Sequence, residues 1–154
     1  MPLPDIIAEG AIIPALRADS KKQLLQALSA RASELTGRPA SEIFDTLSAR
    51  ESLGSTGAGS GIAIPHGKLP KLARVTGLFA RLEKPVDFDS IDGQPVDLVF
   101  ALLAPEGAGA DHLKALSRIA RLTRDPGNVQ KLRSARDEAS LRALLAQAPT
   151  PHAA

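Results

Sequence analysis

The sequence predicts a single α/β domain in which a mixed β-sheet is flanked by helices on both faces. Val96 to Ala104 is apolar on both alternating sets through Val99-Phe100-Ala101-Leu102-Leu103, as a central strand covered on both faces requires. Leu24, Leu25, Leu28, Ala32 and Leu35 recur at helical spacing. Helical stretches also stand before, between and after the strand-like ones, without an internal repeat or a low-complexity linker. A chain of 154 residues fits one ordinary domain with a sizeable core.

Residues 1–10 are expected to be a mobile N-terminus, with Ala11 to Ile13 a short edge strand ending at Pro14. Ser20 and Gln23 form a capping box, and Gly37 ends the helix that they start. Pro39 suits an early position of a second helix whose Ile43, Phe44 and Leu47 share a face, and which delivers Arg50 to a glycine-rich loop. Ile62 to Ile64 reads as a short buried strand. Val75 to Leu82 and Val96 to Ala104 are longer strands, and Val86 to Asp89 is a further short candidate before the Asp92-Gly93 turn. Asp111 is placed to cap a helix that carries Leu113, Leu116, Ile119 and Ala120 inward. Pro126-Gly127 ends it, Asn128 starts a short helix, and Asp137 caps a last one with Leu141, Leu144 and Leu145. The domain is thus expected over residues 11–148, with a disordered tail over 149–154 that holds His152.

Composition narrows the function. Hydrophobic residues make up 44% and charged residues 23%, ordinary globular values, and no run approaches a membrane span. The N-terminus lacks the basic start and apolar core of a secretory signal, and the chain has no cysteine, so a cytoplasmic location without disulfides is expected. A net charge of +2, with no Trp or Tyr, argues against nucleic acid as a partner. Asp87, Asp89 and Asp92 lack the spacing of a calcium loop, so neither a metal nor a cofactor is assigned.

The unusual chemistry is concentrated between Arg50 and Lys68. Gly54, Gly57, Gly59 and Gly61 let backbone approach a ligand closely, and Pro65 ends the short strand so that His66 sits at a strand end with its ring available. Nucleotide motifs fail on spacing. A P-loop places a glycine where Ile62 stands and a hydroxyl residue where Leu69 stands, and the dinucleotide fingerprint also needs glycine at Ile62.

A histidine that is largely neutral at cytosolic pH carries a free ring lone pair and can take a phosphoryl group covalently. His66 is therefore the candidate acceptor, although a loop histidine bonded to backbone is the ordinary alternative. His112, beside Asp111 at a helix start, would put a second ring near a bound anion, or simply occupy a first turn. Arg50 offers a phosphate-matching fork, and is equally what a helix C-terminus favours. Ser55 and Thr56 are candidate phosphate donors or ordinary turn residues, and Lys68 is a counter-charge or a solvated one. Arg118, Arg121 and Arg124 recur at i+3 spacing, by default as a wet helix face and secondarily as a docking patch for an acidic partner.

Gly54-Ser-Thr-Gly57, then Gly61-Ile-Ala-Ile-Pro-His66-Gly-Lys68, with His112-Leu113 further on, resembles the enzyme IIA component of the bacterial phosphotransferase system, fructose/mannitol type, and within it the nitrogen-regulatory member. The resemblance runs from about Ile12 to Ala146. It implies the type 2 IIA fold, phosphorylation at Nε2 of His66 with Nδ1–H held by an acceptor, and a supporting role for His112 beside it. It also implies an arginine, Arg50, at the site, and Lys68 fits the nitrogen-regulatory pattern more than the sugar-specific one. The implied donor is a histidine-phosphocarrier protein, and the implied function is control of target proteins through the phosphorylation state. The alternatives are a sugar-specific IIA component that passes the group to a IIB partner, and a non-catalytic anion-binding module. Protein partners call for a shallow site with an apolar rim, expected from Ile62, Leu69 and Leu72.

Overall fold

In the computed structural model, which describes residues 3–146, six strands form one mixed sheet: β1 (Ile12–Leu16), β2 (Gly57–Gly59), β3 (Ile62–Ala63), β4 (His66–Leu69), β5 (Thr76–Val86) and β6 (Val96–Pro105), in the order β1-β5-β6-β3-β2, with β4 also paired to β6. β6 (Val96–Pro105) is its centre: antiparallel to β5 (Thr76–Val86) on one side, parallel to β3 (Ile62–Ala63) and β4 (His66–Leu69) on the other. Every residue from Leu98 to Ala104 is buried, as expected from a strand apolar on both faces. β1 (Ile12–Leu16) lies parallel to β5 at the edge. It runs through Pro14, with a register shift between Ile13 and Leu16. Phe79 and Phe100 pack 4.9 Å apart across the β5–β6 pair.

Helix α2 (Lys21–Thr36) begins where the capping residues place it. Ser20 Oγ accepts from the Gln23 amide at 3.1 Å, while Gln23 Oε1 reaches one residue further back, to the Asp19 amide at 2.8 Å. Gly37 closes the helix at φ 75°. Helix α3 (Ala40–Ser52) follows, with Pro39 as its N-cap residue, and packs on α2 and β4. Helix α4 (Gly109–Arg124) packs on β6, and α5 (Pro126–Ser134) and α6 (Glu138–Ala146) complete the chain order. None of these helices is long and apolar enough to cross a membrane.

Several expectations change. Residues 3–10, expected to be mobile, begin with α1 (Leu3–Ile6), and Leu3, Ile6 and Ile7 are buried; Arg142 donates to the carbonyls of Ile7 and Ala8. The apolar Leu3, Ile6 and Ile7 supply a face that the early prolines disguise. Val86 closes β5 instead of starting a strand of its own, and Gly93 bonds back to Ser90 in the turn that follows. Helix α4 starts at Gly109 with Ala108 as its N-cap residue, so Asp111 lies in the first turn, where the helix dipole favours it, but does not cap. Its buried face is His112, Ala115, Ile119 and Leu122, one position round from the expected one, and Leu113 points outward. Asp125 starts α5 at Pro126, ahead of Asn128, and Asp137 caps α6 through the Ser140 amide at 2.8 Å. Residues 147–154, including the expected tail and His152, lie outside the described residues.

Candidate functional site

Pro65 cannot donate to the sheet, so the chain steps off β3 there and rejoins β6 at His66, which is registered with Leu102. The half-buried His66 ring turns back, and its Nδ1 lies 2.7 Å from the Ile64 carbonyl oxygen. A carbonyl oxygen only accepts, so this contact requires Nδ1–H, and the lone pair of the neutral ring is then on Nε2. The pleat puts Lys68, which is exposed, on the same side of β4 as His66.

His112 comes from the first turn of α4. Its ring meets that of His66 edge to face, with centroids 5.5 Å apart and planes at 74°. His112 is 8% exposed, and its Nε2 is buried without a hydrogen-bond partner among the described residues. Burial, then the charges of His66 and Lys68, hold its pKa below the ordinary imidazole value. The folded state therefore keeps this ring neutral, whereas the unfolded chain protonates it below about pH 6.5. Stability should be full above that pH and fall as the pH drops through the imidazole range. Melting temperatures measured from about pH 7.5 to 5.5 should show this decline, and His112→Asn should flatten it. An equal decline in the variant would assign the effect to other groups.

A hairpin sets the glycine loop beside the strand that leads to His66. β2 (Gly57–Gly59) runs antiparallel to β3, a strand that the glycine content conceals. Backwards from Gly57, the chain therefore lies alongside Ile64 and Pro65, and the Thr56 carbonyl accepts from the Ile64 amide at 3.0 Å. A side chain at Gly57 would run into Ser90, so glycine here lets the loop after β5 close over the hairpin. Arg50, half-buried in the last turn of α3, donates Nη1 to the Gly54 carbonyl at 2.8 Å. It stands one helical turn beyond Thr46, whose methyl group lies 2.5 Å from where a Cβ on Gly67 would be. This close approach of α3 to β4 puts Arg50 on the side of the helix that faces the His66 strand.

The hydroxyls are otherwise engaged than expected. Ser55 Oγ donates to the Phe88 carbonyl at 2.9 Å and accepts from the Gly57 amide at 3.0 Å. Thr56 is buried, and both its Oγ1 and its amide donate to the carboxylate of Glu51. These hydroxyls thus pin the loop and are not free phosphate donors in this structure. Glu51 is buried as well, in a salt bridge with Lys21 Nζ at 2.9 Å, and that ammonium lies 4.5 Å over the Phe88 ring. Sequence reasoning passed over both residues. One signal was present: an acidic side chain in a last helical turn opposes the helix dipole and calls for specific partners.

The expected rim is also revised. Ile62, Leu69 and Leu72 are buried in the core, Leu69 completely. The exposed apolar side chains beside the site are Leu53, 84% exposed and next to Gly54, and Leu113, 66% exposed and next to His112.

A family model described as "Phosphoenolpyruvate-dependent sugar phosphotransferase system, EIIA 2" matches residues 5–148. A "Nitrogen regulatory protein" of Bradyrhizobium diazoefficiens is 60% identical over 149 residues, covering 97% of each chain. One of the same name from Escherichia coli is 44% identical over 123 residues, 79% of this chain and 76% of its own. Among solved structures, nitrogen regulatory protein IIA-Ntr from Neisseria meningitidis superposes with a TM-score of 0.87 at 36% identity, covering 92% of this chain and 97% of that one. IIA mannitol from Escherichia coli gives a TM-score of 0.76 at 17% identity, over 90% and 98% of the two chains, which supports the shared fold alone.

Proposed function

The chain belongs to the phosphoenolpyruvate-dependent sugar phosphotransferase system EIIA 2 family, and from that premise we propose that it is a cytoplasmic regulatory phosphocarrier, which takes a phosphoryl group on Nε2 of His66 and controls partner proteins by that state. The observation that carries this reading is the contact of the His66 ring with the Ile64 carbonyl, from which its tautomer follows. Its Nδ1 is committed to the Ile64 carbonyl 2.7 Å away, so the ring leaves Nε2 as its nucleophilic nitrogen, with the ring of His112 edge to face at 5.5 Å between centroids.

The donor is a histidine-phosphocarrier protein. The Nε2 lone pair of His66 attacks phosphorus in line as the donor's N–P bond breaks, and the bonding pair of that bond stays on the donor's nitrogen. His66 keeps its Nδ1 proton, and the positive charge that develops on the ring is stabilised by the carbonyl of Ile64. In the tautomer that carries its proton on the buried Nε2, His112 would donate to the arriving phosphoryl oxygens, which offsets a desolvation cost already present in the free protein. Arg50 and Lys68 supply fixed and mobile positive charge, while Ser55 and Thr56 hold the loop that frames the site. Leu53 and Leu113 form the apolar rim on which the donor protein seats.

Incubation with phosphoenolpyruvate, the first enzyme of the system and its carrier protein should add one phosphoryl group by intact mass. Absence of that addition would exclude the phosphocarrier reading and leave the anion-binding module. A sugar-permease component added next separates regulation from sugar transfer: no sugar phosphate is expected. Arg50→Ala should slow acceptance about hundredfold, the scale of one lost transition-state donor, with the fold intact. A rapid-quench rate equal to the parent's would remove Arg50 from the site.

A further inference from the structure

Helix α4 leaves His112 against His66 and then turns a cationic face outward. Lys114, Arg121 and Arg124 are exposed and Arg118 is partly so; with Leu113 and Ser117, three of these cations line a shallow hollow of about 380 Å³. None of the four cations forms a salt bridge among the described residues, and Asp111 is the only acidic residue of the helix. The helix dipole accounts for Arg121 and Arg124 in the last turn, but not for Lys114 and Arg118 in the middle. Like charges at i+3 and i+4 repel one another, so the arrangement weakens the helix that carries it. Leu113, 66% exposed, adds an apolar side chain at the head of this cationic face.

We infer that this face of α4 is a docking surface for an acidic segment of a partner protein, an apolar side chain flanked by carboxylates, seated on Leu113 between Lys114, Arg118 and Arg121. The inference rests on the regulatory reading above and names the chemistry of the regulated partner. The absence of Phe, Tyr and Trp from the helix, whose one ring, His112, is buried, favours protein over single-stranded nucleic acid as the occupant. Since the face starts one residue after His112, a phosphoryl group on His66 adds about two negative charges at its head. An acidic partner is therefore held more tightly by the free protein than by the phosphorylated one.

The probe is a synthetic peptide with a central leucine between aspartates and glutamates, titrated into the isotope-labelled full chain, with the lysine-for-acid peptide as control. Amide shifts should be confined to Leu113, Lys114, Ser117, Arg118 and Arg121. The double variant Arg118→Glu, Arg121→Glu should bind about tenfold more weakly at a melting temperature no lower than the parent's, and phosphorylation should weaken binding in the parent chain. Shifts spread over other cationic surfaces, affinity indifferent to the charge reversal, or tighter binding of a single-stranded oligonucleotide at the same face would each overturn the inference. The two readings fail separately. Peptide binding on α4 without phosphoryl acceptance sinks only the phosphocarrier, and acceptance without peptide binding sinks only the docking face.

Discussion

His66→Ala is expected to abolish phosphoryl acceptance outright, leaving a folded protein whose mass does not change on incubation with the donor system. The effect is all-or-none because the alternative ring is chemically unsuited. His112 is buried in the first turn of α4, against the sheet, whereas the half-buried His66 has no hydrogen bond at Nε2 among the described residues. Loss of the ring removes one hydrogen bond to the Ile64 carbonyl, a stability cost of about 1 kcal/mol. Circular dichroism and the denaturation midpoint should therefore stay near those of the parent. Phosphoryl incorporation in the variant at the parental level would put the acceptor elsewhere.

Glu51→Ala is expected to have the largest effect on stability, about 3 kcal/mol, because it strands several groups at once. The amide and hydroxyl of Thr56 lose their acceptor in a buried site, and Lys21, 20% exposed at its side chain, loses its ion pair. Asp89, 4.0 Å from the ammonium, and the Phe88 ring beneath it limit the damage, which sets the estimate at the lower end of the range for a broken buried pair. Glu51→Gln keeps one acceptor and should cost roughly half as much. Urea titration reads both variants. Phosphoryl acceptance should slow as well, since Thr56 pins the loop against Ile64, whose carbonyl holds the His66 ring; a midpoint unshifted in Glu51→Ala would show that the network holds nothing in place.

The elements that explain the fold were largely written in local patterns. Ser20, Gln23 and Gly37 punctuate α2 through contacts within a few residues, and the two-sided apolar run of β6 leaves it no position but the centre. The place of His66 was legible for a similar reason: Pro65 followed by histidine after a buried strand dictates a strand-end ring. What escaped depended on direction. Leu69 lies three residues from His66 on one strand, hence on the opposite face, and belongs to the core, not the rim. Leu113 and His112 exchange places because Ala115, completely buried, sits at the packed face of α4 beside β6, and His112 falls on that face one turn before it. Ser55 and Thr56 looked like free donors because their acceptors, Phe88 and Glu51, are set by tertiary contact and by the course of the loop.

The ring nitrogen that carries the phosphorus distinguishes this mechanism from its alternatives. Nitrogen-15 spectra of the phosphorylated full chain should show coupling to phosphorus at Nε2 of His66, with a proton retained on Nδ1 by the Ile64 carbonyl. Coupling at Nδ1, or on the ring of His112, would contradict the tautomer from which the mechanism is built.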